Sequence, residues 1–321
     1  MQKLLENIVF NCAEKAGFDL VGIAQFTILE EENINLQKWI ENGYSAGMGY
    51  MSRNLDVKKD VRLLLPSVKS VISLGYNYFS NPNYSESSNS GKISRYATGE
   101  DYHHLLKEKV NIILSEIYQV FPGFEYYLNI DSGPVMDKAW AVKAGLGWLG
   151  KNSNIINPKK GSWFFIATIL TNLELKQSQP IRDLCGSCTK CIDACPTGAI
   201  VSGYVVDSKR CISYQTIENK GEIEALNNDH FKNWIFGCDI CQEVCPWNIK
   251  FQKETNEDRF LFIETVTGQK ISNNEINLDE VLKMTQEQFS YRFRKSPVKR
   301  TKLKGLQRNA KFLTEKRIDN N

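Results

Sequence analysis

The stretch CGSCTKCIDACP, residues 185–196, sets four cysteines in the spacing C-x2-C-x2-C-x3-C-P. A second stretch, CDICQEVCP at residues 238–246, repeats the ending, and Cys211 stands between the two. Of the nine cysteines in the chain, only Cys12 lies outside this pattern. In two-cluster iron–sulfur modules, three cysteines of such a run hold one [4Fe–4S] cluster and the fourth reaches across to the other. That rule assigns Cys185, Cys188, Cys191 and Cys245 to one cluster, and Cys195, Cys211, Cys238 and Cys241 to the second. The two-residue spacers let backbone amides turn toward the sulfurs, and Pro196 and Pro246 lead the chain away. Zinc is the competing reading, but it favours separate four-ligand knuckles over a three-cysteine run closed by Cys-Pro. Disulfides need an oxidising compartment. The N-terminus reads as a polar-faced helix rather than a secretory signal, and no apolar run is long enough to span a membrane, so a cytoplasmic location is expected. Cys12 shares the apolar face of that helix with Leu5, Ile8 and Val9 and reads as core.

At 321 residues the chain exceeds the usual size of a single core, so two or three modules are expected. A hydrophobic fraction of 42% and a charged fraction of 24% are ordinary for a globular protein and exclude a disordered or fibrous one. The net charge is only +3, yet from Arg292 to Arg317 eleven Lys/Arg face a single acid, Glu315. The remainder is therefore net acidic, and the basic segment points to a polyanionic partner. Leu303, Leu306, Ala310, Phe312 and Leu313 interleave with these charges near helical spacing, which predicts a basic helix docked on the body rather than a loose solvated tail.

Apolar periodicity predicts an N-terminal helix over 2–16 ended by Gly17, a strand over 19–24, and a helix over 34–42. It further predicts a buried strand over 70–78, a Ser/Asn-rich loop over 81–91, and a long helix over 101–120. A strand over 124–130, a helix over 135–144 and a strongly apolar strand over 163–170 follow. The alternation predicts an α/β sandwich over the first 175 residues or so. Neither a Rossmann glycine fingerprint nor a phosphate-binding P-loop is present.

Residues 130–152, IDSGPVMDKAWAVKAGLGWLGKN, place glycines among Trp140, Leu146 and Trp148, a composition that suits backbone approaching a large flat ligand. Asp131 falls where a strand ends and a helix is about to begin. It reads either as a helix cap or as an acid at a strand end facing an apolar-walled cofactor cleft. Such walls would raise its pKa and let it donate a proton. The three histidines, His103, His104 and His230, show no metal-ligand spacing. Tyr102 and His104 flank the start of the long helix and could line a pocket.

These stretches, with RCISY at 210–214, RYATGEDYH at 95–103 and SPVKRTKLKGLQRN at 296–309, resemble the epoxyqueuosine reductase family over nearly the whole chain. The resemblance implies a fold of α+β or α/β class. It consists of a nitroreductase-like cobalamin-binding domain (residues 1–175), a ferredoxin-like two-[4Fe–4S] module (176–250) and a basic helical C-terminal segment (251–321). It implies a cobalamin and two [4Fe–4S] clusters as cofactors. The reaction would be the two-electron removal of the epoxide oxygen of epoxyqueuosine at the wobble position of tRNAs for Asp, Asn, His and Tyr, with electrons from an external donor. By the same resemblance Asp131 is the general acid. Lys58, Ser94, Arg95, Asp131, Ile155, Ser162, Ser213, Cys238 and Asp239 would contact the cobalamin. Lys299, Arg300, Lys302, Lys304 and Arg308 would hold tRNA. Many members of the family continue into HEAT-like repeats; this chain reads as a short form, and Lys58 stands where arginine is usual. A monomer with no membrane association is expected. Two alternatives remain: another cobalamin/iron–sulfur reductase, such as a dehalogenase-like enzyme of small molecules, and a non-catalytic electron carrier. The basic segment speaks against the first, and the residue 130–152 block against the second.

Overall fold

The structure is a computed structural model that describes residues 2–223, 226–264 and 268–315. Helix α1 (Gln2–Lys15) buries Leu5, Val9, Cys12 and Ala13 and ends at Gly17, whose φ of +91° glycine adopts without strain. Strands β1 (Leu20–Gln25), β2 (Ser70–Asn77), β3 (Tyr126–Asn129) and β4 (Phe164–Thr171) form a sheet in the order β1-β2-β4-β3, antiparallel throughout. Of the two classes anticipated the fold is therefore α+β: its helix–strand alternation closes an antiparallel sheet rather than parallel crossovers.

The central strands read as apolar runs because both faces are covered. Ile72, Leu74, Ala167 and Ile169 pack against α1 and the long helix α2 (Tyr102–Val120). Val71 and Leu170 face the other way, toward Trp140 and Ala141 of helix α3 (Asp137–Lys143). The long helix is capped by Asp101, whose side chain accepts from the His103 amide at 3.0 Å.

A second sheet joins distant parts of the chain. Strand Ser90–Ile93 lies between Trp234–Phe236, to which it is parallel, and Glu275–Asn277, to which it is antiparallel. The C-terminal helix α4 (Lys302–Thr314) covers this sheet with Leu306, Ala310 and Leu313 buried, so the basic segment is a docked helix as anticipated. Burying each leucine contributes about 1.5–3 kcal/mol. Asn309, also buried, donates from Nδ2 to the carbonyls of Thr216 (2.8 Å) and Ile235 (2.9 Å). Lys316 and Arg317 lie outside the described residues.

The cysteine-rich stretch is fastened to the turn after strand Ser90–Ile93 of the second sheet by one buried polar knot. Arg95 Nη1 meets Asp239 Oδ2 at 2.9 Å and Glu243 Oε1 at 2.6 Å, and the Arg95 amide also donates to Asp239 at 2.9 Å. The Ser94 hydroxyl donates to the other Asp239 oxygen. The guanidinium lies over Trp163, 5.0 Å from the ring centroid, and Asp239 is only 1% exposed. Removing one partner of such a pair leaves a buried charge uncompensated. Arg95→Met is therefore expected to lower unfolding stability by about 3–5 kcal/mol. Lys59→Met, which breaks an exposed pair with Glu30, is expected to change it by under about 1 kcal/mol. Denaturant unfolding of the two variants side by side checks the contrast.

Candidate active site and metal centres

The cysteines assemble across the chain, not along it. Cys185, Cys188, Cys191 and Cys245 line one cavity of about 400 Å³ with Lys151, Ile156 and Trp247; exposed Lys190 and Pro246 are on its rim. Trp148 Nε1 donates to Cys185 Sγ at 3.3 Å. The other four are mutual neighbours: the Cys241 thiol is acted on by Cys211 and Cys195, and that of Cys238 by Cys241 and Cys211. Backbone amides reach the sulfurs as the spacing suggests: Ala199 N–H meets Cys195 Sγ at 3.2 Å, and the Ser213 and Tyr214 amides serve Cys211. Burial pushes the thiols of Cys191, Cys211, Cys238, Cys241 and Cys245 up, with other cysteines adding to the rise. Such a set keeps thiolates only against a positive charge of its own, which is what iron ions provide.

Asp131 follows β3 with φ +58°, a left-handed conformation that aspartate tolerates better than most residues. It is not a cap: α3 begins six residues later, with Met136 at the cap position and no side-chain cap bond. The sequence suggested apolar walls around this carboxyl. Instead it is 70% exposed, and its Oδ2 accepts from Tyr102 Oη at 2.8 Å and lies 3.8 Å from His103 Nε2. Tyr102 is stacked between Phe165 (4.1 Å between ring centroids) and His103 (4.2 Å). The walls are thus aromatic and hydrogen-bonding. The Asp131 amide is bonded to Asp137, whose part-buried carboxyl also accepts from Asn129 Nδ2 (2.7 Å) and Thr168 Oγ1 (2.5 Å) and is pushed up to about 6, chiefly by burial.

Lys138 links the two halves of the site. Its Nζ donates to the Ser153 carbonyl at 2.7 Å, and the neighbouring Asn152 donates from Nδ2 to the Cys241 carbonyl at 3.1 Å. Helix α3, which follows the Asp131 loop, is thereby tied to the second cysteine quartet through residues 152–153. Tyr96 lies edge-on to Tyr102, 6.5 Å between ring centroids, and Arg300 lies over the Tyr50 ring, 5.9 Å from its centroid.

Several sequence expectations need correction. Added methyl groups at Gly133, Gly145, Gly147 and Gly150 would meet Asn129 Oδ1, the Gln179 carbonyl, the Ile156 carbonyl and the Ile156 side chain at 1.8, 2.4, 2.2 and 2.5 Å, so these glycines admit protein, not a flat ligand. Most side chains expected on the cobalamin are engaged within the protein. Ser94, Arg95 and Asp239 bond one another, and Ile155 lies in the core. Ser162 bonds Gln242 and Asn248, and Ser213 bonds Cys211. Lys58 is buried, with its ammonium on the carbonyls of Tyr50 and Arg53. His104 is exposed, and its neighbour His103 takes the pocket position.

In the basic segment, Arg308 is withdrawn from the surface. Its guanidinium donates to the carbonyls of Gln215 (2.6 Å), Asn219 (2.7 Å) and Gly221 (2.5 Å), which makes it a brace of the 215–221 turn. Arg300 is paired with Glu218. Lys299, Lys302 and Lys304 are exposed with no ion pair among the described residues. Lys220, which the sequence did not single out, lies beside Arg300, Arg308 and Lys302 and extends this positive surface.

Paired cysteine quartets beside an exposed, hydrogen-bonded carboxyl are the make-up of an iron–sulfur oxidoreductase. A family profile described as a 4Fe-4S double cluster binding domain matches residues 184–248, and one described as Epoxyqueuosine reductase QueG, DUF1730, matches residues 58–132. The chain is 46% identical to an epoxyqueuosine reductase of Leadbetterella byssophila, covering 94% of this chain and 96% of the relative. It is 43% identical to that of Cyclobacterium marinum, covering 95% and 96%. A crystal structure of epoxyqueuosine reductase with a tRNA-Tyr epoxyqueuosine-modified stem loop superposes with a TM-score of 0.88 at 27% identity, covering 98% of this chain and 81% of that one. A Bacillus subtilis epoxyqueuosine reductase, solved with its aspartate-bearing catalytic loop swung out of the active site, also gives 0.88 at 27% identity, covering 98% and 82%. This chain belongs to the epoxyqueuosine reductase family. Its cofactors are two [4Fe–4S] clusters and a cobalamin. The residues present fit both: Cys185, Cys188, Cys191 and Cys245 line one cavity, the other four cysteines are neighbours, and the surface beside Asp131 carries the polar groups of Tyr102, His103 and Lys138 that a large polar ligand could meet.

Cross-chain ligation has a measurable signature. Reconstituted protein should carry about eight irons, and Cys245→Ala should remove the same cluster as Cys188→Ala although Cys245 lies 57 positions away in the second run. Iron analysis and electron paramagnetic resonance of the reduced variants check this; stoichiometric zinc with little iron would overturn the assignment.

Proposed function

We propose that this protein reduces epoxyqueuosine to queuosine in tRNA, at the wobble position of the tRNAs for Asp, Asn, His and Tyr, by removing the epoxide oxygen with two electrons. The observation that supports the reading is the link between the Asp131 loop and the second quartet: α3, which follows that loop, bonds the Ser153 carbonyl through Lys138, and the adjacent Asn152 bonds the Cys241 carbonyl. In this reading residues 1–175 hold the cobalamin, 176–250 the clusters, and 251–321 add the basic surface. The protein works as a monomer in the cytoplasm with an external one-electron donor. Among the described residues no helix is long and apolar enough to cross a membrane.

When bound, cobalamin supplies a strongly reducing cobalt for the carbon–oxygen bond. The chain's own residues do the rest. The first quartet, with Lys190 and Pro246 exposed at its rim, is where electrons enter; the second adjoins the cleft where they are used. Asp131, steadied by Tyr102, delivers a proton to the oxygen as the bond breaks, so that a hydroxyl rather than an alkoxide departs. Lys299, Lys302 and Lys304, with Lys220 and Arg300 at the mouth of the cleft, attract the phosphates that flank the modified base.

Asp131→Asn tests the acid. It keeps the left-handed backbone accessible and removes the acidic proton. Turnover should fall on the order of 10²–10⁴-fold with cobalamin still bound and stability changed by about 1 kcal/mol or less. Retained activity, measured by nucleoside analysis of tRNA, would overturn the role. The tRNA surface has its own test: neutralising Lys299, Lys302 and Lys304 together should weaken stem-loop binding and flatten the salt dependence of log Kd by roughly 0.7–0.9 per lost phosphate contact. Arg308→Gln should leave that slope alone and lower stability instead.

A further inference from the structure

Turning an epoxide into an alkene and water consumes two electrons and two protons. Asp131 holds one proton, so the carboxyl must be recharged before the second carbon–oxygen bond breaks. This inference rests on the epoxyqueuosine-reducing reading above and concerns where that second proton comes from.

The cleft supplies a specific neighbour. His103 sits in the first turn of α2, with Nδ1 2.6 Å from Asp101 Oδ1. That contact fixes the ring and favours a proton on Nδ1, which leaves Nε2 facing away from Asp101. Nε2 is buried, has no hydrogen-bond partner, and has the Asp131 carboxylate 3.8 Å away. A buried ring nitrogen without a partner is costly. Here it is aimed at the one carboxylate the reaction discharges. Tyr102, which also meets Oδ2, is a poorer proton source: burial and Asp131 both push its hydroxyl pKa up. The groups that face His103 are Asp101 at the helix cap, Asp131 on the loop after β3, Tyr102 stacked on its ring, and Arg300 from the C-terminal segment. Burial and Arg300 lower its pKa, the two aspartates raise it, and the aspartates prevail.

We propose that His103, held by Asp101, is the proton-return group of the active site. It passes the Nε2 proton to the Asp131 carboxylate after the first carbon–oxygen bond has broken. In balanced form, the Asp131 carboxylic acid gives its proton to the epoxide oxygen and becomes carboxylate. The imidazolium Nε2–H bond then breaks, an O–H bond forms on Asp131, and neutral imidazole remains to be reprotonated by solvent. The recharged acid protonates the departing hydroxyl, which leaves as water. The two electrons come from the low-potential one-electron donor that drives the overall reaction. Asp101 is a positioning residue, because it acts only through the imidazole.

The sign of the pH dependence follows. Return requires imidazolium, so turnover should decline as pH rises through the His103 pKa, which lies above the ordinary 6.5. Asp101→Asn removes the larger of the two raising interactions and should move that falling limb to lower pH. His103→Gln should abolish the limb and cut kcat on the order of 10–10²-fold, with KM for the stem loop within about two-fold, since no tRNA contact is removed. Free imidazole should restore part of the turnover of His103→Ala.

A second readout needs no turnover. The chain has three histidines, so ¹⁵N-histidine spectra of the holoenzyme, with clusters oxidised and cobalt(III) in place, should separate them. The His103 resonance, identified by its loss in His103→Gln, should titrate above 6.5, and its pKa should fall in both Asp131→Asn and Asp101→Asn. A His103 titration indifferent to Asp131→Asn, or a pH limb that survives in His103→Gln, would overturn the proposal. If wild-type holoenzyme instead failed to convert epoxyqueuosine while the imidazole still titrated with Asp131, the functional reading would fall and the coupling of the two side chains would stand.

Discussion

The molecule depends on the buried meeting of Arg95 and Asp239. Asp239 sits between two ligands of the second quartet, Cys238 and Cys241, so whatever holds Asp239 holds that quartet. Arg95 comes from the turn after Ser90–Ile93, and its guanidinium reaches Asp239, Glu243 and the Ser80 carbonyl while lying on Trp163. Two charges taken out of water gain little net stability over an apolar pair, but they tolerate few alternative geometries. Register between the sheet and the cysteine module is what such a pair is suited to set.

That register brings two unlike chemistries together. The first sheet presents Asp131 at the end of β3, and the long helix presents Tyr102 and His103 beside it. The cysteine module is tied to the same region through Asn152, which donates to the Cys241 carbonyl, and Ser153, whose carbonyl accepts from Lys138. In the function proposed, electrons and protons reach one region from different parts of the chain. The arrangement suits a reductase whose leaving oxygen must be protonated as it departs. Asp131 remains exposed on its loop, and the swung-out catalytic loop of the Bacillus subtilis enzyme shows that such a loop can leave the site in that relative.

The basic segment divides its charges between architecture and surface. Arg292 pairs with Glu280, Arg294 reaches the Glu264 carbonyl, Lys295 meets Glu100, and Arg308 braces the 215–221 turn. These cations hold α4 and its neighbours against the second sheet. Lys299, Lys302 and Lys304 remain at the surface, and Arg300 with Lys220 extends the positive potential to the mouth of the cleft. Charge counting along the chain could not make this division, because a lysine bonded to a carbonyl and one facing water look alike in sequence.

Local patterns carried much of the reading. Cysteine spacing is a local constraint of ligation, and it pointed to two quartets and their crossing. Helix and strand periods marked α1, α2, α4 and the apolar strands β2 and β4, because each buries a face with a fixed repeat. Asp131 could be named but not its setting: whether it capped a helix or faced a cleft depended on where α3 began and on which helix stood opposite. The role of His103 was hidden for the same reason, since the Asp101 contact that aims its ring is local while the Asp131 carboxylate comes from 28 residues away. The glycines of residues 133–150 misled because bulk can be excluded by a ligand or by the protein's own carbonyls, and only the folded chain shows which. Sequence by itself determined the cysteine pattern and its spacing and the regular elements around the first sheet, but not the second sheet, whose strand Ser90–Ile93 begins inside the stretch read as a loop. The tertiary structure decided which polar side chains remain unsatisfied and face one another, because that depends on burial and distance between segments that no local pattern encodes.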